Sequence, residues 1–134
     1  MIAVDSSAIV AIVFGEPERD LFRRAIANSG KAFLSSVSFV ESRMVIHGRR
    51  GQKGAVLFDD LMRLPVFEIV PPGIAEIEAA YAGFVTYGKG SGHPAALNFG
   101  DLFSYALAKV RAVPLLFKGS DFSQTDIAPA VSAS

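Results

Sequence analysis

The sequence predicts an α/β fold, a central parallel sheet of roughly four to five short strands flanked by helices on both faces. Two observations carry this expectation. Short apolar runs closed by turn residues, such as Ile2-Ala3-Val4 and Ala32-Phe33-Leu34, read as buried strands. Longer stretches with apolar residues at helical spacing alternate with them, as at Leu21, Phe22, Ala25 and Ile26. No repeat, linker or low-complexity block interrupts the pattern, and 134 residues suit a single domain, residues 1–134, with a substantial core.

In chain order, Ile2-Ala3-Val4 is the first strand, and Asp5-Ser6-Ser7 leads into a helix over Ala8 to Phe14. Gly15-Glu16-Pro17 punctuates, with Pro17 suited to a first helical turn, before a second helix over Glu18 to Ala27 that Asn28-Ser29-Gly30 stops. Ala32-Phe33-Leu34 is the second strand, and Ser35 to Ser38 open a helix through Ile46 or Arg49. Gly51 to Gly54 break that helix, and Ala55 to Leu64 form the next. Val66 to Val70 is a strand, Pro71-Pro72-Gly73 a hard stop, and Ile74 to Tyr87 a helix. Gly88 to Pro94 is a flexible loop. Asn98-Phe99-Gly100-Asp101 opens a helix over Leu102 to Arg111, and Val113 to Phe117 is a strand that ends in Lys118-Gly119-Ser120-Asp121-Phe122. Ile127 is placed in a short last strand.

Composition narrows the function classes. The chain has no cysteine, which excludes disulfides, thiolate zinc sites and a Cys nucleophile. Thirteen basic and thirteen acidic residues balance, so any nucleic acid must be met by local clusters rather than by a global field. At 51% hydrophobic residues and a mean hydropathy of +0.38 the chain is very apolar, yet no run approaches the ~20 residues of a membrane span. The surplus points to a partner-binding surface. Met1 to Asp5 reach a carboxylate without a basic stretch, unlike a signal peptide, so no membrane role is expected and the cytoplasm is the expected location.

Four carboxylates converge on this layout. Asp5 and Asp121 each follow a parallel strand and share its carboxyl edge, where open parallel sheets place their chemistry. Glu41, near the start of its helix, and Asp101, in the first turn of another, face the same edge because each crossover returns there. Free N–H groups and the helix dipole are expected to keep Asp101 ionised. An ordinary structural role explains each acid alone. Asp5 can be an N-cap, Ser38-x-x-Glu41 and Asn98-x-x-Asp101 have capping-box spacing, and Asp121 beside Gly119 suits a turn. Those roles do not explain four acids on one edge. Carboxylates so gathered repel unless a cation neutralises them, and hard oxygens without convergent His or Cys point to Mg²⁺ or Mn²⁺.

Asp5-Ser6-Ser7-Ala8, Glu41, Asn98-Phe99-Gly100-Asp101 and Lys118-Gly119-Ser120-Asp121-Phe122 resemble, in order and spacing over nearly the whole chain, the acidic motifs of PIN-domain ribonucleases, specifically the VapC toxins of type II toxin–antitoxin modules. The last motif departs in having Ser120 where the family often has Asn, which leaves the carboxylate intact. The resemblance implies a PIN-like fold and a Mg²⁺- or Mn²⁺-dependent endoribonuclease, with activated water attacking RNA and leaving 5′-phosphate and 3′-hydroxyl ends. Asp5 and Asp101 would be the principal ligands, and Glu41 and Asp121 would complete the shell, hold a second ion or take a proton from water. It also implies a homodimer and a VapB-like antitoxin laid in an apolar groove. The helices over Ala8 to Phe14, from Glu18 and over Ala55 to Leu64 are the candidate walls.

Other polar residues have two readings. Ser6 or Ser7 orients a ligand or caps a helix, and Asp126 is a further acid or a cap. Arg43, Arg49, Arg50, Lys53, Lys89 and His93 contact RNA phosphate or, as for Arg49 and Arg50, sit at a solvated helix end. Lys118 meets phosphate or pairs with an acid, His47 is a helix-face residue, and Phe99, Phe103 and Tyr105 serve packing. Two other classes compete. A receiver-type phosphoacceptor would need paired acids after the first strand, where Ser6 and Ser7 stand, and a dehalogenase-type phosphatase would need an acid in place of Ser7. A PIN-like binding module without activity is the remaining alternative, and metal-dependent cleavage separates it from the enzyme.

Overall fold

The computed structural model of the chain describes residues 1–132. Strands β1 (Ile2–Val4), β2 (Ala32–Ser35), β3 (Phe67–Val70) and β4 (Leu115–Leu116) form a single parallel sheet in the order β3-β2-β1-β4. The helices between them are α1 (Ser6–Val13), α2 (Arg19–Ser29), α3 (Ser36–Met62), α4 (Ile74–Tyr87) and α5 (Phe99–Arg111). This is the α/β architecture read from the sequence.

Strand side chains alternate between the two faces, which splits the core in two. Ala3, Phe33 and Leu115 face α4 and α5, where Leu102, Ala106 and Leu107 are buried against them. Ile2, Val4, Leu34 and Leu116 face the opposite way, onto Ile9, Ile12, Phe22 and Phe58 of α1, α2 and α3. Burial on both sides explains why the strands read as unbroken apolar runs.

Several boundaries differ from the sequence reading. Helix α1 begins at Ser6, because Asp5 Oδ2 accepts from the Ser7 N–H at 3.0 Å and caps it. Helix α2 starts at Arg19, leaving Pro17 in the preceding turn. Helix α3 is capped by Ser35, so Ser38-x-x-Glu41 is not a capping box and Glu41 lies beyond the first turn. The glycine break narrows to one residue: Gly51, at φ 60° and ψ −145°, is non-helical and joins two helical halves of α3 at a kink. Helix α5 begins at Phe99, with Asn98 and Asp101 in the reciprocal capping arrangement their spacing implies. Ile127 is in no strand; the last pairing is a single bridge from Leu115 to Pro129 at the sheet edge.

Candidate functional site

The site forms at the carboxyl edge of β1 and β4. Asp5 follows β1, its backbone N–H donates to the Leu116 carbonyl at 2.9 Å, and its side chain is 2% exposed. Besides the Ser7 N–H on Oδ2, Ser104 Oγ donates to Oδ1 at 2.5 Å. Glu41 comes from α3, and Ser6 Oγ donates to its Oε1 at 2.6 Å. Asp101 caps its own helix, with Oδ2 accepting from the Asn98 N–H at 3.0 Å. Asp121 lies exposed on the turn after β4.

Gly100 explains how Glu41 comes close to the start of the helix that carries Asp101. A Cβ there would fall on the Glu41 carboxylate, with Cδ only 2.7 Å away, so the bare backbone before Asp101 makes room for Glu41. The acids also act on each other electrostatically. The Asp101 carboxyl is pushed up from 3.8 to about 6, first by burial and then by the charges of Asp5, Asp121 and Glu41, against the lowering effect of the Asn98 hydrogen bond. The Asn98 hydrogen bond at the helix terminus opposes this rise without cancelling it, so the carboxyl is held less firmly ionised than the terminus alone would hold it. The other three predicted acids lie within coulombic reach of Asp101. As the side chains stand, no three carboxyls among the described residues are gathered to ligating distance of one point.

A divalent cation fits this donor set. The acids supply hard oxygens, and among the described residues no Lys or Arg forms an ion pair with any of the four. Lys118, which follows β4, is engaged by Glu16 at 3.3 Å and Glu18 at 3.4 Å, while its backbone N–H donates to Ser7 Oγ at 3.0 Å.

Other predicted residues fall elsewhere. Asp126 is not part of the site: it accepts from Tyr105 Oη at 2.9 Å and pairs with Lys109. Burial works the other way, yet those two donors hold its carboxyl below the ordinary value. Arg43 pairs with Asp59 at 3.6 Å, and Arg49 and Arg50 stack over Phe14. His93 Nδ1 accepts from the Ala95 N–H and its ring packs edge-on to Tyr87, which braces the glycine-rich loop. His47 is exposed on α3. The sequence reading missed Ser38 and Ser104. Each is three residues from a site acid, Glu41 and Asp101 respectively, and that helical spacing is the signal that places them on the acid-bearing faces.

A parallel sheet with acids from β1, α3, α5 and the turn after β4 at one edge defines a PIN-type fold. The PIN domain family model matches residues 2–128, and the chain belongs to that family. Ribonuclease VapC30 of Mycobacterium tuberculosis is 41% identical over 125 residues, covering 93% of this chain and 95% of the relative. VapC42 of the same organism is 40% identical over 127 residues, covering 95% and 97%. VapC20 of M. tuberculosis, a Sarcin-Ricin loop cleaving toxin, superposes with a TM-score of 0.76 at 18% identity, covering 96% and 97%. FitAcB from Neisseria gonorrhoeae superposes with a TM-score of 0.66 at 21% identity, covering 96% of each chain. The two superpositions bear on the fold; the identities place the chain among the VapC ribonucleases.

Proposed function

We propose that this VapC-family ribonuclease is the toxin of a type II toxin–antitoxin module and cuts RNA with Mg²⁺ or Mn²⁺ held by Asp5, Glu41, Asp101 and Asp121. The observation that carries the reading is the approach of acids from four distant parts of the chain to one sheet edge, where Gly100 lets the Glu41 carboxylate lie against the start of α5 and the charges of Asp5, Glu41 and Asp121 all act on Asp101. Asp5 and Asp101 are the principal ligands, and Asp121 and Glu41 complete the shell. Glu41, with Oε1 held by Ser6, keeps Oε2 to accept a proton from water. The cation supplies Lewis acidity toward the scissile phosphate and the attacking water. Ser7 ties the turn after β4 to α1 and so holds Asp121 near the other acids.

Two surfaces suit the partners. Ile12 and Val13 of α1, Arg23 of α2, Leu57 and Leu61 of α3 and Leu64 just beyond it line one groove, which suits the apolar segment of a VapB-like antitoxin. On the other side, Ile77, Tyr81 and Phe84 of α4 and Phe99 of α5 surround a second apolar concavity, with Tyr81 67% and Phe99 74% exposed. A second copy of the chain covers this face. Among the described residues no helix is long and apolar enough to cross a membrane. An RNA substrate is consistent with action in the cytoplasm.

The test is incubation of structured RNA with the antitoxin-free protein and Mg²⁺ or Mn²⁺, followed by analysis of the new ends. The reading expects cation-dependent cuts with 5′-phosphate and 3′-hydroxyl termini. Cutting that persists in chelator contradicts it.

A further inference from the structure

Asp5 is held from behind by hydroxyls that the chemistry above does not use. Ser104 Oγ donates to Asp5 Oδ1 at 2.5 Å, and Ser38 Oγ stands 3.1 Å from Ser104 Oγ. Ser42 Oγ in turn donates to the Ser38 carbonyl at 2.6 Å. All three serines are fully buried. Hydroxyls are costly in an apolar interior unless satisfied, and alanine would fill these places without that demand.

Proton positions follow from the donor inventory. A carboxylate only accepts, so the Ser104 proton points at Asp5 Oδ1. The Ser104 oxygen then accepts, and the Ser38 proton points at it. The bonds run in one direction, from Ser38 through Ser104 to Asp5, and each polarises the next. With the Ser7 N–H on Oδ2, both oxygens of Asp5 are fixed.

The same bonds link the elements that carry the other acids. Ser38 precedes Glu41 by three residues on α3, and Ser104 follows Asp101 by three on α5, so each shares a helical face with its acid. Fastening Ser38 to Ser104 and Ser104 to Asp5 sets β1, α3 and α5 in one register.

We propose that Ser104, backed by Ser38, is a positioning residue of the acidic site, which fixes the orientation of Asp5 and its register with Glu41 and Asp101 for a divalent cation. This rests on the cation reading above. Ser104 acts through Asp5, and groups that orient a metal ligand in this way are worth about 10- to 100-fold in affinity or activity.

The experiment is calorimetric titration of the full chain with Mn²⁺, alongside thermal melting in chelator and RNA cleavage. Ser104→Ala is expected to melt close to the parent in chelator, yet to bind Mn²⁺ about tenfold or more weakly and to cut more slowly by a similar factor. Ser38→Ala leaves the Ser104–Asp5 bond in place and loses less, in the same direction. Should Ser104→Ala fail to fold, Ser104→Cys keeps the volume, gives up the strong O–H donor and carries the same expectation. A folded Ser104→Ala or Ser104→Cys that binds Mn²⁺ as tightly as the parent overturns the proposal. A parent that itself binds no Mn²⁺ overturns the cation reading and the proposal with it, and the parent's own titration distinguishes that failure from the other.

Discussion

At Gly100 two requirements meet in one residue. Alanine is the better helix former by about 1 kcal/mol, but its Cβ would occupy the place of the Glu41 carboxylate. Gly100→Ala is therefore expected to leave the melting temperature unchanged or raised while lowering cleavage by at least about tenfold. Melting and turnover measured on one preparation check this, and a variant as active as the parent would refute it. Asp101 gives a second prediction at this scale. Its carboxyl titrates at about 6 in the fold against 3.8 ordinarily, so the folded chain binds this proton more tightly than the unfolded chain. The resulting stabilisation is fully present below about pH 4 and is lost as pH rises through about 6. A cation takes over the neutralising role at higher pH. Saturating Mn²⁺ should thus raise the melting temperature more at about pH 7.5 than at about pH 5, where protons compete for the same oxygens. Equal shifts at both values would separate Asp101 from the cation.

The helix ends and turns hold the acids in place at the scale of elements. Tyr105 and Lys109 of α5 bind Asp126 and so tie the segment after β4 to that helix. Tyr105→Phe should cost about 1 kcal/mol of stability and leave Mn²⁺ affinity unchanged, as denaturant unfolding and calorimetry would show. Most elements were legible in the sequence, because buried parallel strands leave unbroken apolar runs and glycine or proline marks their ends, and the four acids proposed for the site were named there from their places at strand ends and helix starts. The Asn98 and Asp101 capping arrangement was legible too, since it depends on neighbours in sequence. Glu41 was not legible in the same way: the helix is capped three residues earlier than Ser38, and only the approach of α5 to α3 shows why Gly100 must lack a side chain. Asp126 failed as a site acid for the same reason, its partners lying 17 and 21 residues away in sequence. The three-residue spacing of Ser38 and Ser104 from Glu41 and Asp101 put them on the acid-bearing helix faces, but their contact with each other and with Asp5, 66 and 99 residues apart, needed the packed fold.

For the whole molecule, the sheet separates two kinds of surface. The groove of α1, α2 and α3 lies on one side and the exposed apolar face of α4 and α5 on the other, with the acidic edge between them. This division accounts for the high apolar content of a chain without a membrane-length helix among its described residues. Tyr81→Glu places a charge in the second face and should convert the proposed dimer to a monomer in light scattering while the fold persists. The cation site built from four acids distant in sequence is a proposal. It is tested most directly by titrating Mn²⁺ into the parent and into Asp5→Asn, Glu41→Gln, Asp101→Asn and Asp121→Asn by calorimetry, each variant checked for folding. Binding should be lost in Asp5→Asn and Asp101→Asn and weakened in the other two. Four folded variants that bind Mn²⁺ as the parent does would contradict the account.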